Sequence, residues 1–296
     1  MAKVLVMTDN VACIPQGLAE ENQIKVVPTA NIIFDGYTYI EGVNINATEA
    51  YQLIKKDPDR FVTSAITPDY LLDEYRKLSM ESQDILLITL ASALSAFFKT
   101  ANLAADLFRE ESPKTTIRIL DSRTCAGAQG LVVLAAAKAA AQGMNLEQVA
   151  SIAEQVRQKT GGLMFLDTLR YIYRTGRMSK TASRIVSLLN IKPINRMTDE
   201  GTVELVTRAR KREDGYKRLL ETIRHEAGTD ALHFVASHAA APEFADRLSE
   251  LLKQEFNCLS LVISDYSPVM GYGAGPGALF VGFHPELDLD LDLPKQ

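Results

Sequence analysis

Apolar positions along the chain recur in two alternating patterns. Short continuous runs at Lys3–Met7, Ile24–Val27, Asp84–Leu90 and Ile117–Leu120 predict buried strands. The run Asp84–Leu90 is apolar on both faces, as in a parallel sheet covered by helices. Helical spacing fills the intervals. Asn46-Ala47-Thr48-Glu49 is a capping-box start for a helix carrying Tyr51, Leu53 and Ile54. At Thr67-Pro68 a capping threonine precedes a first-turn proline, with Leu71, Leu72 and Tyr75 as the packed face. Phe97, Phe98, Ala101, Leu103, Ala104 and Leu107 mark a further helix. The run AGAQGLVVLAAAKAAAQG, from Ala126 to Gly143, is apolar almost all round, which predicts a buried helix, and its Gly127 and Gly130 permit close approach of a neighbour. Asp35-Gly36 between Ile32–Phe34 and Tyr37–Ile40 predicts a hairpin. The alternation predicts an α/β protein whose N-terminal domain is a doubly wound, mostly parallel sheet.

The rhythm changes after the helix Leu146–Gln158. Gly161-Gly162 reads as a boundary between domains at 1–160 and 161–296. The second domain is expected to be α/β, with a smaller mixed or antiparallel sheet. Its strands fall at Thr202–Val206, Leu232–Ala236 and Leu259–Ser264, with a helix at Pro242–Glu255. Gly271 to Gly277 reads as a glycine loop leading into a strand, Ala278–Phe283. A dinucleotide loop would instead follow the first strand and open a helix. The tail Leu287–Leu293 alternates Leu and Asp, as in a charged edge strand or a loose acidic tail.

A mid-chain segment, Phe165 to Ile194, carries the most distinctive pattern. Leu169, Ile172 and Tyr173 sit at helical spacing, and Gly176 stops that helix. Ser179 caps a second helix with Ala182, Ile185, Val186 and Leu189 on one face, and Lys192-Pro193 ends the segment on an extended turn. Arg177 is thereby held between two helices.

Composition narrows the function classes. The 296 residues are 47% hydrophobic and 23% charged, with a net charge of −5, which leaves no electrostatic footprint for nucleic acid. Cys13, Cys125 and Cys258 lie far apart and read as buried reduced thiols of a cytoplasmic protein. The opening MAKVLVMTDN reads as a strand rather than a signal peptide, and no apolar run approaches the ~18 residues of a membrane span. Four scattered histidines argue against a metal site, and no HExxH, P-loop or G-x-S-x-G motif is present. Arg208, Arg210, Lys211 and Arg212 form a basic cluster, read as solvated surface or as a docking patch for an acidic partner.

The candidate chemistry consists of donors. Thr63 and Ser64 precede the Thr67 cap in what reads as a tight loop. Ala91-Ser92-Ala93-Leu94-Ser95 joins a strand end to a helix start, where hydroxyls and the first helical N–H groups suit an anion unless Ser95 is only a cap. Neither loop carries a base nearby, although Asp9 or Asp121 could act from a distance. Donors without a base suit holding a carboxylate better than transforming one. A hydrolase or acyltransferase using Ser95 or Ser64, and an interaction module that keeps only the fold, are the alternatives.

These pieces occur in an order that resembles the DegV family: Thr8-Asp9-Asn10, Thr63-Ser64-Ala65-Ile66-Thr67-Pro68, Ala91 to Phe97, Asp121-Ser122, Thr175-Gly176-Arg177, Leu189 to Ile194, and Gly273-Ala274-Gly275-Pro276-Gly277. The resemblance spans nearly the whole chain. It implies a two-domain α/β protein holding a long-chain fatty acid in a tunnel between the domains, with no catalytic residue, metal or cofactor of its own. Thr63, Ser64, Ser92 and Ser95 would bind the carboxylate, with Arg177 and the Gly273 position closing the head-group site. It also implies a partner, a fatty acid kinase protein that phosphorylates the presented acid, and no stable membrane insertion. Departures from the family pattern make the site less polar: Gly273 stands for a histidine, Ala91, Ala96 and Phe97 for Ser, Gly and Thr, and Ala65-Ile66 for Gln-Pro.

Overall fold

The computed structural model describes residues 4–177, 191–228 and 230–287. β1 (Leu5–Asp9), α1 (Gln16–Glu21) and β2 (Lys25–Val27) lead into a hairpin of β3 (Ala30–Phe34) and β4 (Tyr37–Ile40). α2 (Ala47–Lys56) opens on the expected capping box, with Asn46 and Glu49 exchanging side-chain and backbone hydrogen bonds. β5 (Val62–Ala65), α3 (Pro68–Ser79), β6 (Asp84–Thr89), α4 (Phe97–Glu111), β7 (Thr116–Asp121), α5 (Ala126–Ala141) and α6 (Leu146–Lys159) follow. Pro68 opens α3 as expected, but Thr67 makes no side-chain cap bond.

β1, β2, β6 and β7 pair in parallel in the order β2-β1-β6-β7, which brings the carboxyl ends of these strands to one edge. β3, β4 and β5 form a separate antiparallel sheet. Thr63 and Ser64 therefore lie on an edge strand, paired with Ile32 and Asn31, and not in a tight loop.

The second half contains β8 (Gly161–Phe165), α7 (Arg170–Thr175), β9 (Lys192–Met197), β10 (Val203–Ala209), α8 (Arg212–Ala227), β11 (Leu232–His238), α9 (Pro242–Glu255), β12 (Cys258–Asp265), α10 (Pro268–Ala274) and β13 (Leu279–Pro285). Its sheet is mixed, ordered β10-β9-β8-β13-β11-β12 and parallel only between β11 and β12. It was expected to be the smaller sheet, yet it has six strands against four. β8 and β9 make the difference. The glycines of β8, read only as a boundary, lie inside a strand: a Cβ at Gly161 or Gly162 would strike the ring of Phe283 or Phe280, so close packing across the sheet demands them. Pro193 looks like a stop. It is the second residue of β9, and its carbonyl accepts from Leu166 N at 3.0 Å.

α5 is buried on nearly every side because it lies between the two larger sheets, against β1 and β6 on one side and β11 and β13 on the other. Small residues make this possible. A Cβ at Gly127 would lie 2.7 Å from Val235 O, one at Gly130 2.7 Å from Ala12 O, and one at Gly282 2.3 Å from Ala128 N. Cys13 and Cys125 are buried free thiols, whereas Cys258 is only partly covered. The helix expected after Ser179 and the tail beyond Leu287 lie outside the described residues.

Candidate functional site

A cavity of about 180 Å³ opens where β5, the loop before α4, α7 and α10 meet. Its polar rim comes from separate elements: Thr63 and Ser64 from β5, Ser95 ahead of α4, and Thr175 and Arg177 at the end of α7. Its buried side is apolar, with Leu90, Met164, Val203, Val269 and Met270 beside Tyr266. Among the described lining residues Arg177 is the one charged group, and none is Asp, Glu, His, Lys or Cys.

Local structure fixes each donor. Ser95 Oγ accepts from Phe97 N at 3.2 Å, so it does help to cap α4 while its own proton remains to donate. Ser64 Oγ lies 3.5 Å from Asn31 Nδ2 on the paired strand. Gly176, at φ 68°, ends α7 in the left-handed conformation that favours glycine. Arg177 Nη1 then donates to Thr175 O at 3.0 Å and Nε to Leu94 O at 3.5 Å, tying α7 to the serine loop. Both acceptors are neutral carbonyls, so the guanidinium charge is not neutralised by them.

Gly271 and Gly273, read as loop residues, lie within α10. The turn they were expected to form is confined to Gly275 and Gly277, at φ 83° and 85°. A Cβ at Gly275 would lie 2.2 Å from the Tyr171 ring, so conformation and space both require glycine there. Gly273 is different. A Cβ there would meet only Thr175, at 3.6 Å from its Oγ1, so a larger side chain has room.

Behind the cavity wall lies a buried polar network. Asp9, at the end of β1, is fully buried. Its Oδ1 accepts from Val11 N and Thr29 Oγ1, both at 3.1 Å, and its Oδ2 from Leu90 N at 2.8 Å and Gln129 Nε2 at 3.2 Å. Burial pushes its pKa up to about 6 despite these donors. Glu41 Oε2 accepts from Asn10 Nδ2 at 2.8 Å and Ser267 Oγ at 2.6 Å, and burial raises its pKa to about 7. Thr29 belongs to this network and also lines the cavity. Ser267 N donates to Cys13 Sγ at 3.3 Å and Tyr51 Oη to Tyr266 O at 2.7 Å, which pins the start of α10 to the N-terminal half.

Five of the six residues singled out from the sequence, Thr63, Ser64, Ser95, Arg177 and Gly273, line this one cavity. Ser92 does not. It is exposed, and its backbone N–H points to the Asp121 carboxylate at 3.2 Å. Asp9 and Asp121, the distant candidate bases, are not among the lining residues either. Sequence reasoning missed Thr29, Thr175 and the whole buried end. Thr29 gave a weak signal as a lone polar residue between two strands; Tyr266 gave none. Among the described residues no cluster of His, Cys, Asp and Glu could hold a metal, and no helix is long and apolar enough to cross a membrane.

Comparison with known proteins agrees with this architecture. A DegV domain-containing protein of Caldanaerobacter subterraneus is 30% identical over 286 residues, covering 96% of this chain and 99% of its own length. Another from Clostridium perfringens is 27% identical over 285 residues, covering 96% and 99%. Among solved structures, a fatty acid binding DegV family protein from Streptococcus agalactiae superposes with a TM-score of 0.85 at 25% identity, covering 97% of this chain and all of its own. A DegV family protein from Thermus thermophilus, described for its fatty acid binding, shares the fold with a TM-score of 0.87 at 23% identity, covering 96% and 100%. The family model described as "Uncharacterised protein, DegV family" matches residues 3–286, and the chain belongs to that family.

Proposed function

We propose that this chain is a carrier that binds a long-chain fatty acid in the cavity. The carboxylate lies at Thr63, Ser64, Ser95 and Arg177, and the acyl chain runs toward Met164, Val203 and Tyr266. One observation carries the reading: hydroxyls from two distant segments and a single guanidinium converge on an apolar cavity with no base among its described lining residues. Such a set neutralises and holds an anion. A serine-dependent hydrolase or transferase needs a proton acceptor within hydrogen-bond reach of Ser95 or Ser64, and none of the described lining residues offers one.

The arrangement also supports presentation to a second protein. Ser64 and Arg177 are exposed and Ser95 half-buried, whereas Met164 and Tyr266 are buried, so a bound acid shows its head group at the surface. A kinase that phosphorylates the carboxylate is the partner that fits. The division at residues 1–160 and 161–296 belongs to the same proposal, since every strand of the parallel sheet precedes it and every strand of the mixed sheet follows.

Solvent extraction of the purified protein, with mass spectrometry of the extract, is expected to yield a stoichiometric fatty acid. Ser95→Ala and Thr63→Ala are each expected to weaken fatty acid binding about tenfold, the effect of one lost hydrogen bond to a charged group. Unchanged affinity in both variants would show that the head group is held elsewhere.

A further inference from the structure

Tyr266 lines the buried end of the cavity, is only 1% exposed, and its Oη has no hydrogen-bond partner. Nothing in its placement needs the hydroxyl. The ring stacks on Phe280 with centroids 6.3 Å apart, Tyr266 N donates to His238 O at 2.9 Å, and Tyr266 O accepts from Tyr51 Oη at 2.7 Å. A phenylalanine would keep all three contacts without burying an unpaired donor, which is destabilising.

Two further unpaired groups gather nearby. Asn195 is 0% exposed, with neither Oδ1 nor Nδ2 bonded, and Thr124 Oγ1 is also without a partner. Asn195 on β9 sits beside Met164 on β8, which sits beside Phe280 on β13, in one row across the sheet. The Phe280 ring tip and Thr124 Oγ1 both approach the Cβ position of Gly162, at 2.8 and 3.3 Å. Of the three, only Tyr266 reaches the cavity surface. Met164 and Val203 share its apolar cluster, with Met270 packed against it, so its surroundings are poor in polar partners.

We propose that the buried end of this cavity selects acyl chains bearing a hydroxyl or oxo group part-way along the tail, with Tyr266 as the residue that recognises it. This rests on the fatty-acid reading of the same cavity. The Tyr266 hydroxyl donates to, or accepts from, the chain oxygen, and both groups are satisfied only in the complex.

The test compares binding of stearic acid with that of stearic acids hydroxylated at successive carbons, using the full chain and Tyr266→Phe. At least one hydroxylated isomer is expected to bind the native protein about fivefold more tightly than stearic acid, as one net hydrogen bond allows. In Tyr266→Phe that ratio should fall to one or below. Weaker binding of every hydroxylated isomer by the native protein, as in a purely apolar tunnel, would overturn the inference and leave the carrier reading intact. A preference that survives in Tyr266→Phe would overturn it too, and failure of every acid to bind would overturn both. Without ligand, Tyr266→Phe should unfold at the same temperature or higher; a lower midpoint would mean that the hydroxyl already has a partner, and the inference would fall.

Discussion

Two sets of buried polar groups adjoin the cavity, and they are treated oppositely. The Asp9 carboxylate meets four donors from four places in the chain, and the one gap in its network is Gln129 Oε1. Around Phe280, Tyr266 Oη, both amide atoms of Asn195 and Thr124 Oγ1 have no partners. Satisfied networks fix a fold, whereas an unsatisfied one leaves binding free energy available to something that arrives later. The first set therefore holds the scaffold together, and of the second only Tyr266 lines the cavity. The largest test of that contrast is Asp9→Ala. It strands the N–H groups of Val11 and Leu90, whereas Gln129 keeps Thr8 Oγ1 and Ile88 O as acceptors and Thr29 keeps Asn10 Oδ1. Unfolding free energy from urea titration should fall by about 3 kcal/mol or more. An unchanged midpoint would show that the network contributes nothing to the fold.

A smaller effect sharpens the same contrast through pH. Asp9 and Glu41 have native pKa values near 6 and 7, above the ordinary 3.8 and 4.5 expected when unfolded. Between about pH 4 and 7 the native state thus binds more protons than the unfolded chain. Their stabilising contribution is full below the ordinary values and is lost as pH rises through the native ones. For Asp9 this amounts to about 3 kcal/mol, and for the less enclosed Glu41 to less. Glu41→Gln, which keeps a carbonyl acceptor for Asn10 or Ser267, should flatten the melting temperature across that window. An undiminished slope would place the titrating groups elsewhere.

The scaffold was far more legible in the sequence than the buried end of the site. Period and caps mark β1, β6, α2 and α5 because each depends on local spacing or on burial from both sides. The polar rim was legible too, since Thr63, Ser64 and Ser95 stand next to strand and helix boundaries where anion donors belong. What failed depended on distant partners. The strand that opens at Gly161-Gly162 stays hidden beside the boundary reading until Phe280 and Phe283 are laid over it. Pro193 reads as a stop until its pairing with Arg208 across the β9–β10 ladder is known. Tyr266 looks like any core aromatic, because the lack of a partner for a hydroxyl is a property of the assembled surroundings.

Asn195 provides the smallest and sharpest test. Its side chain lies on the Met164 face of the mixed sheet, fully buried, and neither amide atom is bonded, so each remains desolvated in the unliganded protein. Valine has nearly the volume of asparagine and no polar atoms, so Asn195→Val removes that cost with little change in packing. The unliganded protein should gain about 1 kcal/mol in urea unfolding, the reverse of the usual sign for a buried substitution. The comparison with Asp9→Ala is then direct: one buried polar side chain whose removal destabilises, and one whose removal stabilises. A loss of stability in Asn195→Val would mean that the amide is satisfied within the protein, and the contrast between a satisfied and an unsatisfied buried set would not hold.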